Sequence, residues 1–333
     1  MLFTHPCVRP LPHGGSRALR VRAVLTCLML AIAFPCLSGG ARAHGIAGNR
    51  LFPGTLSFDD PAVMDELVLD GSSSNHPPEA GDDVVDNTFS WEFSRLVTPT
   101  LSLSVSNGYI HRNWGSVSRS GLDETSLMLK TLLWQNDLHE VMVSAGFAGS
   151  IGRTGAQGVG ANQFTTVAPS LFFGKGFGDA PAALAWLRPF AITGVLSAEV
   201  PTAGTSMTLD NSIAGQLVPE PFSTSTVLHW GLSIQYSTFY LTPRFTPGRL
   251  PNQEPLYQFI PLVELAVDSP VGKPSVATVN PGLVYVADKY QIGAEAILPL
   301  NGAAGHSTGV RAQLLLFTDD LLPSLFGKPV FGR

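Results

Sequence analysis

The sequence predicts an all-β protein, a transmembrane antiparallel up-and-down β-barrel of about 12 strands, exported behind a signal peptide. Three observations carry this reading. Apolar and polar residues alternate with a period of two almost everywhere. Only 14% of the 333 residues are charged although 44% are hydrophobic, whereas a soluble domain carries about a quarter charged residues. After the first forty or so residues no window approaches the roughly 20 apolar residues of a spanning helix. A closed barrel reconciles the three, because it turns one side-chain face to lipid and satisfies its backbone in the ladder without any long apolar run.

The N-terminus sets the compartment. Arg17, Arg20 and Arg22 precede an apolar run over residues 23–37, followed by Ala41-Arg42-Ala43. This is a secretory signal over residues 1–43, cleaved after Ala43, since the run is short for a spanning helix and Pro35 interrupts it. Cys7, Cys27 and Cys36 all lie in the removed part, so the mature chain has no thiol, disulfide or thiolate metal site. Ala33-Phe34-Pro35 ahead of Cys36 does not form a lipoprotein cleavage box. His44 then leads the mature chain; its amine and imidazole have the chemistry to hold copper, but a polar terminal residue is the plain reading. Residues 44–64 mix polar residues with Gly, Pro and an Asp59-Asp60-Pro61 turn, and read either as a lumen plug or as a periplasmic segment.

The barrel is expected over residues 65–318. Asp65-Glu66-Leu67-Val68-Leu69-Asp70-Gly71 is a short first strand, required because the next one must run back from an outer loop. Phe89, Trp91 and Phe93 then oppose Ser90, Glu92 and Ser94, and Leu101, Leu103 and Val105 oppose Ser102, Ser104 and Ser106. Leu228, Trp230, Leu232, Ile234 and Tyr236 alternate with His229, Gly231, Ser233 and Gln235. Phe259, Val263, Leu265 and Val267 oppose Glu264 and Asp268, while Ile292, Ala294, Ala296 and Leu298 oppose Gln291 and Glu295. The strands fall near 65–71, 87–97, 101–112, 122–135, 139–151, 164–177, 186–200, 222–236, 257–268, 277–287, 290–300 and 308–318. Tight connections at 98–100, 136–138 and 288–289 alternate with long ones at 113–121, 152–163, 202–221 and 301–307, which puts the short turns in the periplasm. Residues 239–245 would make an odd strand count, and Pro243, Pro247, Pro251 and Pro255 argue instead for an extended periplasmic connection over 237–256. Trp91, Tyr109, Trp134, Trp186 and Tyr236 are expected near strand ends as interfacial girdles. Residues 319–333 form a C-terminal periplasmic tail; either Phe317 or Phe331 supplies the terminal aromatic signal to the barrel-insertion machinery.

Asp60-Pro61 through Asp65-Glu66-Leu67, Trp91-Glu92-Phe93-Ser94, Val279-Asn280-Pro281-Gly282, Gly293-Ala294-Glu295-Ala296 and Arg311-Ala312-Gln313-Leu314 together resemble a proteobacterial outer-membrane β-barrel group, the phenol meta-pathway (MetA-type) transporters. The resemblance covers most of the mature chain. It implies a barrel that takes up small, aromatic or hydrophobic solutes, and it supplies no functional residues.

Strand parity points most of the polar candidates at the lumen: Glu92, Glu124, Lys130, Glu140, Glu199, His229, Gln235, Glu264, Glu295 and Arg311. A carboxylate facing lipid would be costly. Inside, these groups form either a selective constriction or a salt-bridge network that fills a narrow lumen. Arg311 poses a conflict: if Leu315 and Phe317 face lipid, Arg311 does too, unless a bulge intervenes. Asp82-Asp83 and Asp86, with Asp59-Asp60, Asp65 and Glu66, make acidic loop patches suited to calcium, though solvated loop charge is the plainer reading. No cofactor is implied, and a net charge of −5 with no basic patch excludes nucleic acid. Outer-membrane lipid and lipopolysaccharide are the expected surroundings. The leading reading is a non-enzymatic channel for passive or facilitated diffusion of small solutes. A non-conducting structural or assembly barrel is the alternative. A lipid hydrolase is a third; His111, His139, His229 and His306 are not followed two positions later by serine, so it would need a cross-strand pair.

Overall fold

The computed structural model describes residues 45–76, 84–114, 117–213, 216–241 and 259–332. Their strands are β1 (Ile46–Ala47), β2 (Arg50–Leu51), β3 (Glu66–His76), β4 (Val84–Thr98), β5 (Leu101–Trp114), β6 (Val117–Leu122), β7 (Thr125–Asn136), β8 (Val141–Ile151), β9 (Thr166–Gly176), β10 (Phe190–Pro201), β11 (Thr205–Ile213), β12 (Gln216–Ser223), β13 (Val227–Tyr236), β14 (Phe259–Pro270), β15 (Val276–Val286), β16 (Tyr290–Pro299) and β17 (Gly309–Phe317). Of the 13 strands in the main sheet, all but β6 pair antiparallel in chain order, and the ladder closes where Val310–Phe317 of β17 meets Ser73–Glu66 of β3. The result is a closed barrel of 12 strands. The start of β3 and the end of β17 share one rim, the terminal end; the other rim is the loop end.

Alternation sorts the side chains. Phe89, Leu103, Tyr109, Leu129, Ile234, Val263, Leu283 and Ile292 stand on the outer face, each more than a third exposed, and form the apolar belt that a bilayer would cover. Ser102, Ser104, Ser144, Thr193, Ser233, Gln235, Asn280 and Gln291 point inward and are buried. Since i and i+2 share a face, one polar residue in two is enough to line the lumen.

Several expectations need correction. The first strand extends to His76, because Ser72-Ser73-Ser74-Asn75 continues the ladder opposite Val85–Thr88 although it carries no apolar residue. The strand expected at 122–135 is broken at Asp123-Glu124: β6 pairs with the outer half of β5 and β7 with its inner half. The expected loop 202–221 is mostly the hairpin β11–β12, which runs on to Ser223, so the strand expected at 222–236 begins only at Val227. Trp186 lies in a 3-10 turn, Ala182–Leu187, ahead of β10, so it is not a strand residue. Trp91 sits mid-ladder opposite Leu69 and Asn107, away from either rim. Residues 242–258, which hold most of the proline-rich connection, and Asp82-Asp83 lie outside the described residues; Thr238–Leu241 is a 3-10 turn.

The conflict at Arg311 disappears for a reason the alternation pattern hides. β16 and β17 pair without a bulge from Tyr290↔Leu316 to Ile297↔Gly309. Leu315 and Phe317 are inward residues, 3% and 4% exposed, and share a buried cluster with Phe52, Leu56, Met64, Ile260 and Val284. Val310, Ala312, Leu314 and Leu316 take the outer face. Apolar residues are tolerated inside because the N-terminal segment supplies apolar partners there.

Beyond β17 the chain makes two helical turns, Thr318–Leu321 and Pro323–Phe326, and returns along the outer face of β4 at the terminal end. Phe326 stacks edge-on to Phe93 at 5.7 Å. The Arg95 guanidinium donates to the carbonyls of Phe326, Leu325 and Lys328 at 3.1, 3.0 and 2.8 Å and to Asp65 at 2.5 Å. Val330 and Phe331 donate backbone hydrogen bonds to Leu96 and Val97. Asp65, read from sequence as solvated loop charge, is 1% exposed and also accepts from the Leu96 amide at 2.6 Å.

Candidate functional site

The segment ahead of β3 crosses the lumen. It enters at the terminal end as the small hairpin β1–β2, whose Gly48 amide donates to Asp137 at 3.1 Å and whose Ile46 carbonyl accepts from Gln135 at 3.0 Å. Arg50 holds it most firmly. Its guanidinium, 1% exposed, donates to the carbonyls of Pro189, Arg188 and Phe190 at 3.1, 2.6 and 3.1 Å, pairs with Glu140 at 3.4 Å and lies 4.0 Å over the Tyr240 ring. The carbonyls come from the end of the 177–189 connection and the first residue of β10. Glu140 stands in the turn before β8 with a positive φ of 48°, accepting also from Gly178 and Tyr240. It therefore sits at the terminal mouth, not on a strand as expected.

Further in, the segment is stitched to the β14–β17 side of the wall. Gly54 exchanges two hydrogen bonds with Gln291, at 3.0 and 2.9 Å, and the Thr55 carbonyl accepts from Gln313 at 3.2 Å. The amides of Leu56 and Ser57 donate to the two oxygens of Glu264 at 3.2 and 2.7 Å. Arg311 donates to the Leu56 carbonyl and to Glu295, both at 2.9 Å. Asn280 and Glu295 close on the Ser57 hydroxyl at 2.5 and 2.9 Å. Gly231 provides a socket for Phe58: a Cβ there would lie 2.4 Å from the ring. On the opposite wall the contacts are fewer. Lys130, 4% exposed, holds both oxygens of Asp59 at 2.8 Å and lies 4.9 Å over Phe172, and Ser144 donates to the Pro61 carbonyl at 2.5 Å.

This asymmetry leaves a cavity of about 380 Å³ between Gly54–Asp60 and the β3–β7 side, with Glu66, Asp70, Glu92, Asp123, Glu124 and Arg311 among its lining. Glu92 accepts from Ser94 at 3.3 Å, and Glu124, in the break between β6 and β7, accepts from the Asn162 amide. Burial pushes the Asp60 carboxyl up to about 7; Lys130 pulls it down, Asp59 pushes it up, and the Ala62 amide, donating at 2.6 Å, pulls it down.

The remaining residues singled out from sequence lie apart from the segment. His229 bridges Glu199 at 3.2 Å and Asp268 at 2.6 Å across β10, β13 and β14 near the loop end. Gln235 donates to Thr193 at 3.1 Å. Asp86 is a two-pronged partner of Arg112, at 2.6 and 2.5 Å, and among the described residues no three His, Cys, Asp or Glu side chains are arranged to hold a metal. Sequence reasoning missed Arg50 and Ser57, which have no strand parity to betray them, and read Asp59 as acidic loop charge, not as the partner of Lys130. It did not single out Asn280 or Gln291 as site residues although their inward parity was readable, and Gln313, at the parity of Arg311, read as lipid-facing.

The class that fold and lumen define is the outer-membrane barrel. No family model matches the chain, and no curated protein does. Among solved structures, the COG4313 outer membrane channel from Pseudomonas putida F1 aligns with a TM-score of 0.53 over 80% of this chain and 99% of that one, at 12% identity. The KdgM porin aligns at 0.43 over 75% and 98% with 10% identity. The beta domain of the Bordetella autotransporter Brka aligns at 0.45 over 76% and 98% with 9% identity. At 12% identity the first of the three shows the fold alone, a closed antiparallel β-barrel of the outer-membrane kind.

Proposed function

We propose that the protein is an outer-membrane channel for passive diffusion of small solutes, with a preference for cations. Its terminal end faces the periplasm, the signal over residues 1–43 is removed after Ala43, and lipopolysaccharide surrounds the loop end. The N-terminal segment narrows the lumen, and the solute path follows the β3–β7 side. One observation carries the reading: the segment is stitched to one wall and leaves against the other a cavity of about 380 Å³ lined by carboxylates. Fixed charge at a constriction selects permeant ions by sign. The small aromatic permeant implied by the sequence resemblance is compatible with that volume and with Phe58, Val68, Trp91 and Leu315 in the lining, while the seven carboxylates beside them favour cations. In planar bilayers the protein is expected to conduct, to favour K⁺ over Cl⁻ in a salt gradient, and to conduct more after deletion of residues 44–64. Absence of current from the deletion variant too would favour the non-conducting scaffold, in which Glu264, Glu295 and Arg311 only fill the lumen.

A second reading, lipid hydrolysis, has one observation in its favour. His111 Nδ1 and Ser120 Oγ lie 2.6 Å apart, paired across β5 and β6 on the outward face near the loop end, with Asn87 opposite His111 on β4. This is the cross-strand pair that spacing along a single strand cannot reveal. A nucleophile and base need this contact. Phospholipid hydrolysis by the wild type that Ser120→Ala abolishes would establish it; equal fatty-acid release by both would dismiss it.

A further inference from the structure

The carboxylates along the lumen cavity outnumber the cations that could neutralise them. Lys130 is committed to Asp59. Arg311 is committed to Glu295 and the Leu56 carbonyl, with Asp70 at 3.8 Å. Among the described residues no Lys, Arg or His pairs with Asp60, Glu66, Glu92, Asp123 or Glu124. Glu66 is the extreme case. It lines the cavity and is only 8% exposed, and its Oε2 is buried with no hydrogen-bond partner, as is Oδ2 of Asp70 on the same face of β3. A buried carboxylate oxygen without a partner costs free energy until something donates to it.

The spacing of the acids tells against an inorganic ion. Calcium needs six to eight oxygens converging within about 2.6 Å of one point, and no three acidic or histidine side chains among the described residues do so. The carboxylates instead follow the register of the wall, from Glu66 opposite Ser94, through Glu92 opposite Val68, to Asp123 and Glu124 beside Gly108, with Asp60 facing them from the segment and the apolar side chains of Val68 and Leu315 in the same lining. Separated anions with apolar surface between them match separated ammonium groups joined by methylenes. The volume, about 380 Å³, lies in the range of roughly 300–1,000 Å³ typical of small-molecule sites. We propose that this cavity binds a small linear aliphatic diamine or polyamine, one ammonium donating to Glu66 and Asp60 and the other to Asp123 and Glu124. This rests on the reading of the cavity as a solute path, and names its solute class.

The test is calorimetric titration of 1,4-diaminobutane into the detergent-extracted full chain, with MgCl₂ titrated separately and heat-modifiable migration confirming that each variant is folded. Saturable diamine binding is expected. Glu66→Gln should weaken it at least about tenfold, the loss typical of a buried charge partner, and the double variant Asp123→Asn/Glu124→Gln should also weaken it, while Asp179→Asn at the terminal end should not. If Glu66→Gln does not fold, the double variant decides. No saturable binding, Mg²⁺ binding tighter than the diamine, or binding unchanged in the folded acid variants would overturn the proposal. Because heat rather than current is read, diamine binding without conductance would retain the site and dismiss the channel, and conductance without diamine binding would do the reverse.

Discussion

At the scale of single residues, Arg50 is the key to how the lumen segment stays in place. Each of its three side-chain nitrogens donates inside the barrel, to Glu140 and the carbonyls of Arg188, Pro189 and Phe190. Replacing it with methionine keeps the bulk and leaves Glu140 buried beside Tyr240 without its cation, a loss of about 3–5 kcal/mol for a broken buried pair. Arg50→Met should therefore loosen the hairpin β1–β2 and raise conductance, read as current steps in bilayers and faster protease cleavage near residue 48. Asp60 gives a pH dependence with a definite sign. Its folded value of about 7 lies above the ordinary 3.8, so the folded chain holds a proton that the unfolded chain releases. That contribution to stability is complete below about 3.8 and is lost as pH rises through about 7. The same ionisation adds negative charge to the cavity. Cation preference should therefore rise between pH 6 and 8 in the wild type and rise less in Asp60→Asn, measured as reversal potentials.

At the scale of elements, the inward and outward sets of β17 are open to direct measurement. A spin label at Leu314→Cys should be mobile and accessible to oxygen dissolved in the bilayer, and one at Leu315→Cys immobile and shielded. The reverse would restore the conflict at Arg311. This strand also shows how far the sequence could be read. Alternation identified almost every wall strand to within a few residues, because lipid on one side and a polar lumen on the other impose a period of two that short-range chemistry preserves. It failed where a third party changes a face: Leu315 and Phe317 look lipid-facing until Phe52 and Leu56 are known to lie inside. It failed also where a strand has no apolar face, as in Ser72–Asn75, and where pairing occurs outside the wall, as in β11–β12. The lumen contacts were half legible. Glu264 and Glu295 stood out by parity and charge and Arg311 by charge alone, but the groups they hold, the amides of Leu56 and Ser57, the Ser57 hydroxyl and the Leu56 carbonyl, belong to a segment with no periodic signal.

At the scale of the whole molecule, the closed ladder has one joint of a different kind. Every other neighbouring pair joins successive wall strands, whereas β17 and β3 are the two ends of the wall and meet with no connecting chain, held by their backbone ladder and the Arg311–Asp70 pair at 3.8 Å. The tail leaving β17 passes the start of β3 and fastens on β4 through Arg95, Phe326, Val330 and Phe331, while Asp65 at the start of β3 accepts from both Arg95 and Leu96. Removing residues 318–333 should lower the temperature at which heat-modifiable migration is lost and leave ion selectivity unchanged, since no residue of the tail lines the cavity. A cylinder slit along one line is only a curled sheet, and peeling from a free corner is the easiest way to flatten it. Here the corner is laced across the slit to the second stave: a pull on residue 332 loads β4 and the buried carboxylate at 65 before it reaches β17, so tension at the end of the chain draws the slit shut.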